Sequence, residues 1–443
     1  MTKGGILLGD WTHRRGDPGG SRYVAADVAH AKPEIAWAWK PPHGGRVDQV
    51  RIAGRTVFIA AMAAPLADAP GWEHATIYAL DADSGRVVAS RALPDPAPVA
   101  AMLVEAGLVH VLATRRGEPI LRYVLDVSDL APKQRRTIDL DRDGRREDVL
   151  DAWSSPDGGL WLELEGAQGA TGGRAYAFAG AQDGAAVTQT HLEDVAAADW
   201  GAPARDACCA GQVLFVPVAS TRPILWRVEQ KPAAPQAMAG LAPLLAPSAE
   251  VWARTDVDGP RARLHALVSE GLVHAVAIAV DADRDDRAVV ELLAVDATSG
   301  TMRFRSPLYR TPLRATLGDG ARLARRGNGE VLVQALDAEG APATDLVCMR
   351  EGDDLGSVAL GNGKRFVLDA TLGDLVLAHH EAKSGKVTVG AFEIDREGRL
   401  LGGRRSVMRW SFDVDDLGGA TTVYAGAGHI VVRGARGIAA LAV

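Results

Sequence analysis

Eight short apolar runs, set roughly 45 to 60 residues apart, constrain this chain more than any other feature of it. They are Arg55–Ala60, Leu108–Leu112, Gly159–Leu164 and Val213–Val218, then the alternating set Leu272, His274, Val276, Ile278 and Val280, then Glu330–Val333, Asp374–Leu377 and Gly428–Val432. Each is bounded by Gly, Asp, Pro or Asn, and each has the length and alternation of a strand rather than a helix. Long capped helical patterns are nearly absent. Only Asp194–Asp199 and Gln236–Leu245 have room for a turn or two of helix.

A strand-rich unit repeated at this period predicts a β-propeller, whose blades are four-stranded sheets around a common axis. The units run over 46–93, 97–140, 148–193, 205–243, 262–308, 317–360, 363–408 and 417–443. The last is too short for four strands. Glu34-Ile35-Ala36-Trp37-Ala38-Trp39, lying before the first unit, supplies the missing one. The expected fold is therefore all-β: a single closed propeller of eight four-stranded blades, its N-terminal strand completing the last blade. Residues 1–45 form a lead-in segment with that ring-closing strand, and 46–443 form the propeller. Closure would remove exposed sheet edges.

The clearest copies of the repeat are Ile77-Tyr78-Ala79-Leu80-Asp81-Ala82-Asp83-Ser84-Gly85-Arg86 and Leu292-Leu293-Ala294-Val295-Asp296-Ala297-Thr298-Ser299-Gly300-Thr301. Each reads as a strand, an Asp-x-x-Ser-Gly turn and a second strand. The Asp side chain caps the turn and the Gly takes positive φ. Weaker copies are Phe392–Arg399 and Tyr123–Ser128. This pattern resembles the PQQ-like (pyrroloquinoline-quinone) propeller repeat, whose blade ends in a similar turn followed by a Trp. Trp11, the segment Arg15–Ser21, Trp37 and Trp39 resemble that family's opening. Ala89 and Phe304 stand where the blade Trp is expected, so the tryptophans that knit blades together are mostly replaced. The resemblance implies the fold. It leaves open quinoprotein dehydrogenases, outer-membrane assembly lipoproteins and uncharacterised repeat proteins. A WD-repeat propeller is disfavoured, since no Trp-Asp dipeptide occurs.

Composition excludes several functions. A formal net charge of -7 argues against a nucleic-acid binder. No stretch approaches the roughly 18 apolar residues of a membrane helix. Three cysteines cannot staple a chain of 443 residues. The only apolar run near the start is Ile6–Leu8, too short for a secretory signal. The expected location is cytoplasmic, or periplasmic or secreted if a signal has been removed.

Candidate chemistry is sparse. Cys208-Cys209 suggests the vicinal disulfide that some quinoprotein dehydrogenases carry, but the downstream residues differ, and two small reduced thiols are the simpler reading. His379-His380-Glu381 suggests a metal cluster, yet adjacent strand residues point to opposite faces, so the imidazoles do not converge on one ion. Arg15-Gly16-Asp17 reads as a turn set by Gly16 and Pro18 rather than an adhesion motif. Gly363-Lys364 lacks the earlier Gly of a phosphate loop, because position 358 is Val358. No zinc-protease, nucleophile-elbow or dinucleotide motif occurs. The basic pairs Arg135-Arg136 and Arg404-Arg405 read as solvated surface.

Aspartate-rich loops stand out. In Asp139-Leu140-Asp141-Arg142-Asp143-Gly144-Arg145-Arg146-Glu147, the carboxylates of Asp139, Asp141, Asp143 and Glu147 fall at positions 1, 3, 5 and 9 with Gly at 6. That is the front of an EF-hand-type calcium loop, and it also resembles the calcium loops of FG-GAP propellers. The competing reading is an acidic turn neutralised by its own arginines. Asp281–Asp286 is a poorer copy without the glycine. Calcium is thus the one cofactor suggested. The expected function is a non-enzymatic scaffold whose partner is another protein. The alternatives are a quinoprotein-type or lyase-type enzyme with its site at the channel mouth, and a calcium-dependent ligand-binding propeller.

Overall fold

A computed structural model describes residues 6–8, 11–13, 16–17, 21–27, 32–63, 74–115, 118–138, 148–154, 159–165, 174–179, 188–192, 208–210, 213–218, 224–230, 248–254, 262–269, 271–281, 284–312, 321–336, 342, 345–361, 365–382, 384–394, 406–414, 417–419 and 421–442. Among them there is no α-helix, and the strands form eight sheets. The two stretches with room for helix, 194–199 and 236–245, lie outside the described residues.

The first sheet is Arg46–Ala53, Thr56–Met62, Ala75–Asp81 and Val87–Ala92. The second is Val99–Glu105, Leu108–Ala113, Ile120–Asp126 and Pro132–Ile138. The third is Asp148–Ser154, Leu160–Glu165, Arg174–Ala179 and Thr188–Leu192; the fourth is Cys208–Ala210, Val213–Val218, Ile224–Gln230 and Ser248–Arg254. The fifth is Ala262–Ser269, Leu272–Asp281, Arg284–Asp296 and Met302–Pro312; the sixth is Ala321–Arg325, Val331–Ala335, Leu346–Arg350 and Asp353–Val358. The seventh is Val367–Leu372, Leu375–Glu381, Val387–Ile394 and Ser406–Val414. In the eighth, Thr422–Gly426, His429–Gly434 and Gly437–Ala442 are joined on the outside by Glu34–Trp39. The fourth, fifth and seventh sheets run to 254, 312 and 414, past the ends expected at 243, 308 and 408.

In each sheet these four strands form an antiparallel meander with the first and fourth outermost of the four; in the seventh, Tyr23–Asp27 adds in parallel beside the first strand and Ile6–Leu8 pairs beyond it, making six strands. First strands of neighbouring sheets touch from the first sheet to the third, and from the fourth through the eighth back to the first. Apolar clusters fill the spaces between sheet faces. Met102, Val104 and Tyr123 pack with Phe58 and Ile77 between the first and second sheets. Val347 and Met349 pack with Val276 and Leu292 between the fifth and sixth. A sheet covered on both faces needs apolar side chains at every position, not alternate ones. Val331–Ala335 and Val367–Leu372 are buried throughout, and their polar members Gln334, Asp369 and Thr371 are each hydrogen-bonded.

The turns after the third strands follow the local chemistry. Asp81 Oδ1 accepts from the Ser84 N–H (2.9 Å) and Asp296 Oδ1 from the Ser299 N–H (2.9 Å). Gly85 and Gly300 have φ of +66° and +71°, as expected. In the weaker copy the Asp126 carbonyl accepts the Leu130 N–H at 2.9 Å, and Leu130 takes the left-handed conformation at φ +56°.

One irregularity recurs between the third and fourth strands. In seven sheets the register slips by one residue; the next pair is Val347↔Ser357 in the sixth sheet, and in the other six the next pairs are Ala79↔Ala89, Val124↔Gln134, Arg227↔Trp252, Ala294↔Phe304, Ala391↔Trp410 and Ala440↔Trp37. Ala89 and Phe304 occupy the repeat position assigned to them. Three tryptophans share it, so the replacement is less complete than the sequence suggested. Their role is visible where side chains are described. Trp37 of the eighth sheet reaches the first sheet's turn and donates from Nε1 to the Ala82 carbonyl at 2.6 Å. A Cβ on Gly85 would lie 2.5 Å from the Trp37 ring. Phe304 of the fifth sheet lies on the sixth sheet's turn, where a Cβ on Gly352 would be 2.9 Å from it. Between the first and second sheets the bulk is exchanged: Ala89 stands in place of the aromatic, and Leu130, fully buried, in place of the glycine.

Candidate functional site

The N-terminal segment attaches to five first strands, always at their C-terminal ends. Trp11 exchanges backbone hydrogen bonds with Ile52 at 2.8 and 2.9 Å, and the Thr12 carbonyl accepts from the Val104 N–H. His13 Nε2 meets Ser154 Oγ of the third sheet at 3.1 Å. The Ser21 carbonyl accepts from Arg325 of the sixth sheet, and those of Arg22 and Val24 accept from Thr371 and Gly373 of the seventh. Tyr23 and Val24 pair in parallel with Thr371 and Leu372. His13 thus meets the third sheet, and Ser21 the sixth.

Most buried titratable groups with large shifts surround this segment. Burial pushes His13 down to about 3, with Arg51 and His110 adding repulsion. His110 is lowered to about 4, chiefly by burial and then by Arg122, whose guanidinium lies 3.1 Å from its Nδ1. A Ser–His contact is the geometry of an activated hydroxyl, but general-base catalysis needs a base with a pKa near the working pH. His13 is too weak a base for that. Its Nδ1 faces the Thr12 hydroxyl at 2.9 Å, not a carboxylate. The group therefore clamps the segment in place.

The other sequence candidates separate. Asp17 accepts from the Ser21 N–H at 3.1 Å and from the Ser21 hydroxyl, a local turn, while Arg15 lies outside the described residues. His379 Nδ1 bonds Asp369 Oδ2 at 2.6 Å, whereas His380 Nδ1 donates to the Arg365 carbonyl at 3.0 Å. The two rings thus engage different partners. Among the described residues no three metal-ligating side chains gather. Cys208 and Cys209 pair through their backbones with Phe215 and Leu214, and their side chains lie outside the description. Arg284–Asp286 of the second acidic stretch lie in a strand. The loop holding Asp139, Asp141, Asp143 and Glu147 lies outside the described residues.

The surface shows what the sequence hid. The exposed large apolar side chains among the described residues are Ile35, Val87, Val88, Val407 and Met408. All five lie near the start of fourth strands, in the seventh, eighth and first sheets, which are consecutive neighbours. Val87, Met408 and Ile35 hold the same register position, opposite Leu80, Phe392 and Leu441 just before the slip. In sequence they look like ordinary strand core. Only their place on the outermost strand exposes them, and that place depends on which strand ends each sheet.

No protein family matches the chain, and no curated protein does. Solved structures do. BamB from Moraxella catarrhalis is 12% identical with a TM-score of 0.54, covering 93% of this chain and 100% of BamB. A europium-containing methanol dehydrogenase is 11% identical with a TM-score of 0.52, covering 97% and 90%. A quinohemoprotein alcohol dehydrogenase from Pseudomonas putida HK5 is 11% identical with a TM-score of 0.53, covering 97% and 76%. At such identity the likeness speaks to the fold: the chain has the all-β, PQQ-like propeller architecture of these proteins.

Proposed function

We propose that the chain is a closed eight-bladed propeller, sealed by Glu34–Trp39, that works as a non-enzymatic scaffold for another protein. The observation that carries this reading is the apolar stripe on the outermost strands of three consecutive sheets. Outer strands carry unpaired backbone N–H and C=O groups, and proteins ordinarily blunt such edges with charge or proline. Here the same edges present Ile35, Val87, Val88, Val407 and Met408 to solvent. Exposed apolar groups on an outer strand edge suit an extended partner segment that adds as a strand and seats alternate apolar side chains.

The test compares the full-length protein with an Ile35→Ser/Val87→Ser/Val407→Ser variant, each used to capture partners from extracts of the native host. These side chains are exposed in the isolated chain, so the variant should melt as the wild type does. A partner held by the wild type and lost by the variant supports the reading. An identical set of partners for both removes it. Two of the similar structures are alcohol or methanol dehydrogenases, so the rival reading is a quinoprotein-type enzyme. Tight quinone binding with dye-linked alcohol oxidation would establish that rival.

A further inference from the structure

We propose that the partner segment at the first sheet's outer edge is acidic, with carboxylates and aliphatic side chains alternating along it. This inference rests on the strand-addition reading above and supplies the chemistry of its partner. The outer strand Val87–Ala92 holds no carboxylate and no proline. Arg86 before it and Arg91 within it are both exposed. Among the described residues neither is paired with a carboxylate. Arg91 gives its Nε–H to the Leu130 carbonyl at 3.4 Å. A guanidinium has five N–H donors, so most of those on Arg91 stay available.

The other outer strands with described side chains differ. In the second sheet Lys133 pairs with Asp126 and Arg135 with Asp95. In the fifth, Arg303 pairs with Asp296 and Arg305 with Glu291. In the seventh, Arg409 pairs with Glu393, and Asp413 with Lys386. The sixth carries Asp353 and Asp354, and the eighth carries Glu34. Those sheets answer their outer cations with their own carboxylates, or present acidic groups instead. The first sheet leaves its two arginines to be answered from outside.

Register sets the alternation. Residues paired directly across antiparallel strands share a face. Val87 is paired with Leu80, and Arg91 with Ile77. Leu80 packs with Trp37 in the cluster shared with the eighth sheet, whereas Ile77 packs with Met102 and Val104 of the second. Val87 therefore stands on the face toward the eighth sheet and Arg91 on the face toward the second. Beyond the slip, residues 89–92 keep a regular register with 76–79, so the edge they offer is regular too. Successive side chains of an added strand point to opposite faces. Aliphatic groups would fall beside Val87 and carboxylates beside Arg91.

Charge also decides what the edge refuses. Two copies of this strand side by side would bring arginines together with no carboxylate to answer them, and like charges across strands are destabilising. Positive charge on an edge guards against such self-pairing. A strand bearing carboxylates reverses the sign, gaining opposite-charge pairs while its backbone fills the edge. It also covers Val87, which is 41% exposed in the isolated chain.

The experiment titrates full-length protein into a short labelled peptide alternating Glu and Val, read by fluorescence anisotropy. This peptide should bind, and more weakly as salt is raised. A Lys–Val peptide and a Glu–Ser peptide should not bind. Arg86→Glu/Arg91→Glu, at two exposed positions, should melt as the wild type does. It should weaken the Glu–Val peptide about tenfold, since two attractions become two repulsions, and should now take up the Lys–Val peptide. A misfolded variant could not show that exchange of preference. The proposal fails if the wild type leaves the Glu–Val anisotropy unchanged at submillimolar protein. It fails equally if the Glu–Ser peptide binds as well, which would mark a site for any polyanion, or if the reversed variant keeps the wild-type preference. A host partner lost by the serine variant above but kept by Arg86→Glu/Arg91→Glu overturns the acidic assignment alone and leaves strand addition standing.

Discussion

Gly85→Ala isolates what joins the eighth sheet to the first. Gly85 has φ +66°, and an alanine in that left-handed conformation costs about 1–2 kcal/mol. The new methyl group would stand 2.5, 2.6 and 2.8 Å from three atoms of the Trp37 ring. The indole must move, and forced overpacking of this kind typically costs about 1–3 kcal/mol. Movement also stretches the 2.6 Å bond from Trp37 Nε1 to the Ala82 carbonyl, worth about 1 kcal/mol. The sum is about 3–6 kcal/mol. Gly54→Ala is the control, because Gly54 has φ +57° and nothing within 4 Å of an added Cβ. It should cost only the backbone term, about 1–2 kcal/mol. Urea unfolding followed by far-ultraviolet circular dichroism reads the difference without relying on tryptophan emission. In a Trp37→Ala background the cost of Gly85→Ala should fall to that of Gly54→Ala. Equal costs for the two glycines in the wild type, or an unchanged cost without Trp37, would refute the docking argument.

The exchanged pair at the next interface makes a second prediction. Leu130→Gly relieves left-handed strain but empties a buried site, for a net loss of about 1–3 kcal/mol; adding Ala89→Trp should recover stability, whereas Ala89→Trp alone should destabilise, all read from urea midpoints. Stability should also depend on pH through buried histidines. His13, His110 and His274 have folded values of about 3, 4 and 4 against 6.5, so the unfolded chain binds protons more tightly. Their contribution is complete above about pH 6.5 and is lost as pH falls toward 4; His13→Gln should flatten the urea-midpoint profile between those limits, and an unchanged profile would contradict the burial. The acidic loop makes a fourth prediction: calcium bound by Asp139, Asp141, Asp143 and Glu147 should raise the melting temperature by mass action, and Asp141→Ala should abolish the rise. Calorimetry with millimolar calcium and no heat would leave an ordinary acidic turn.

What could be read from the sequence follows the range of each interaction. The Asp81–Gly85 and Asp296–Gly300 turns are set by side chains within five residues of one another, so their residue types show the conformation directly. The apolar runs show both-face burial for the same reason, since each run carries its own pattern. Trp37 on Gly85 is different. Its partners are 48 positions apart by number and on separate sheets, and neither residue names the other. The clamp of His13 on Ser154 has no signal at all, because a lone histidine in a lead-in segment looks like any solvated one. His274 appears in the sequence only as one member of an alternating run. Its burial becomes visible only once the sheets are assembled around it.

The degenerate repeats carry a further lesson about volume. Judged position by position, Ala89 is a lost aromatic and Leu130 a lost glycine, two apparent defects in adjoining units. Taken across the interface they are one change. A large side chain from the outer strand over a bare turn becomes a small side chain on the strand under a large one on the turn. Close-packed interiors constrain summed volume more tightly than the identity of either contributor. The left-handed backbone persists at Leu130 because the Asp126 carbonyl still accepts the Leu130 N–H, as those of Asp81 and Asp296 accept the Gly85 and Gly300 N–H groups, although the Asp126 side chain caps Ser128 one residue earlier in the turn. Its strain is offset by burying the leucine fully. Sequence comparison scores both positions as departures, and so it understates how much of the blade-to-blade packing remains. The same reasoning extends to Trp252, which holds the docking register in the fourth sheet, while the turn of the fifth sheet keeps its Gly300. An aromatic paired with a glycine is the unexchanged arrangement, so Gly300→Ala should cost as much as Gly85→Ala and should lose its excess over Gly54→Ala in a Trp252→Ala background. A Gly300→Ala cost no greater than that of Gly54→Ala would confine the docking rule to the interfaces already seen.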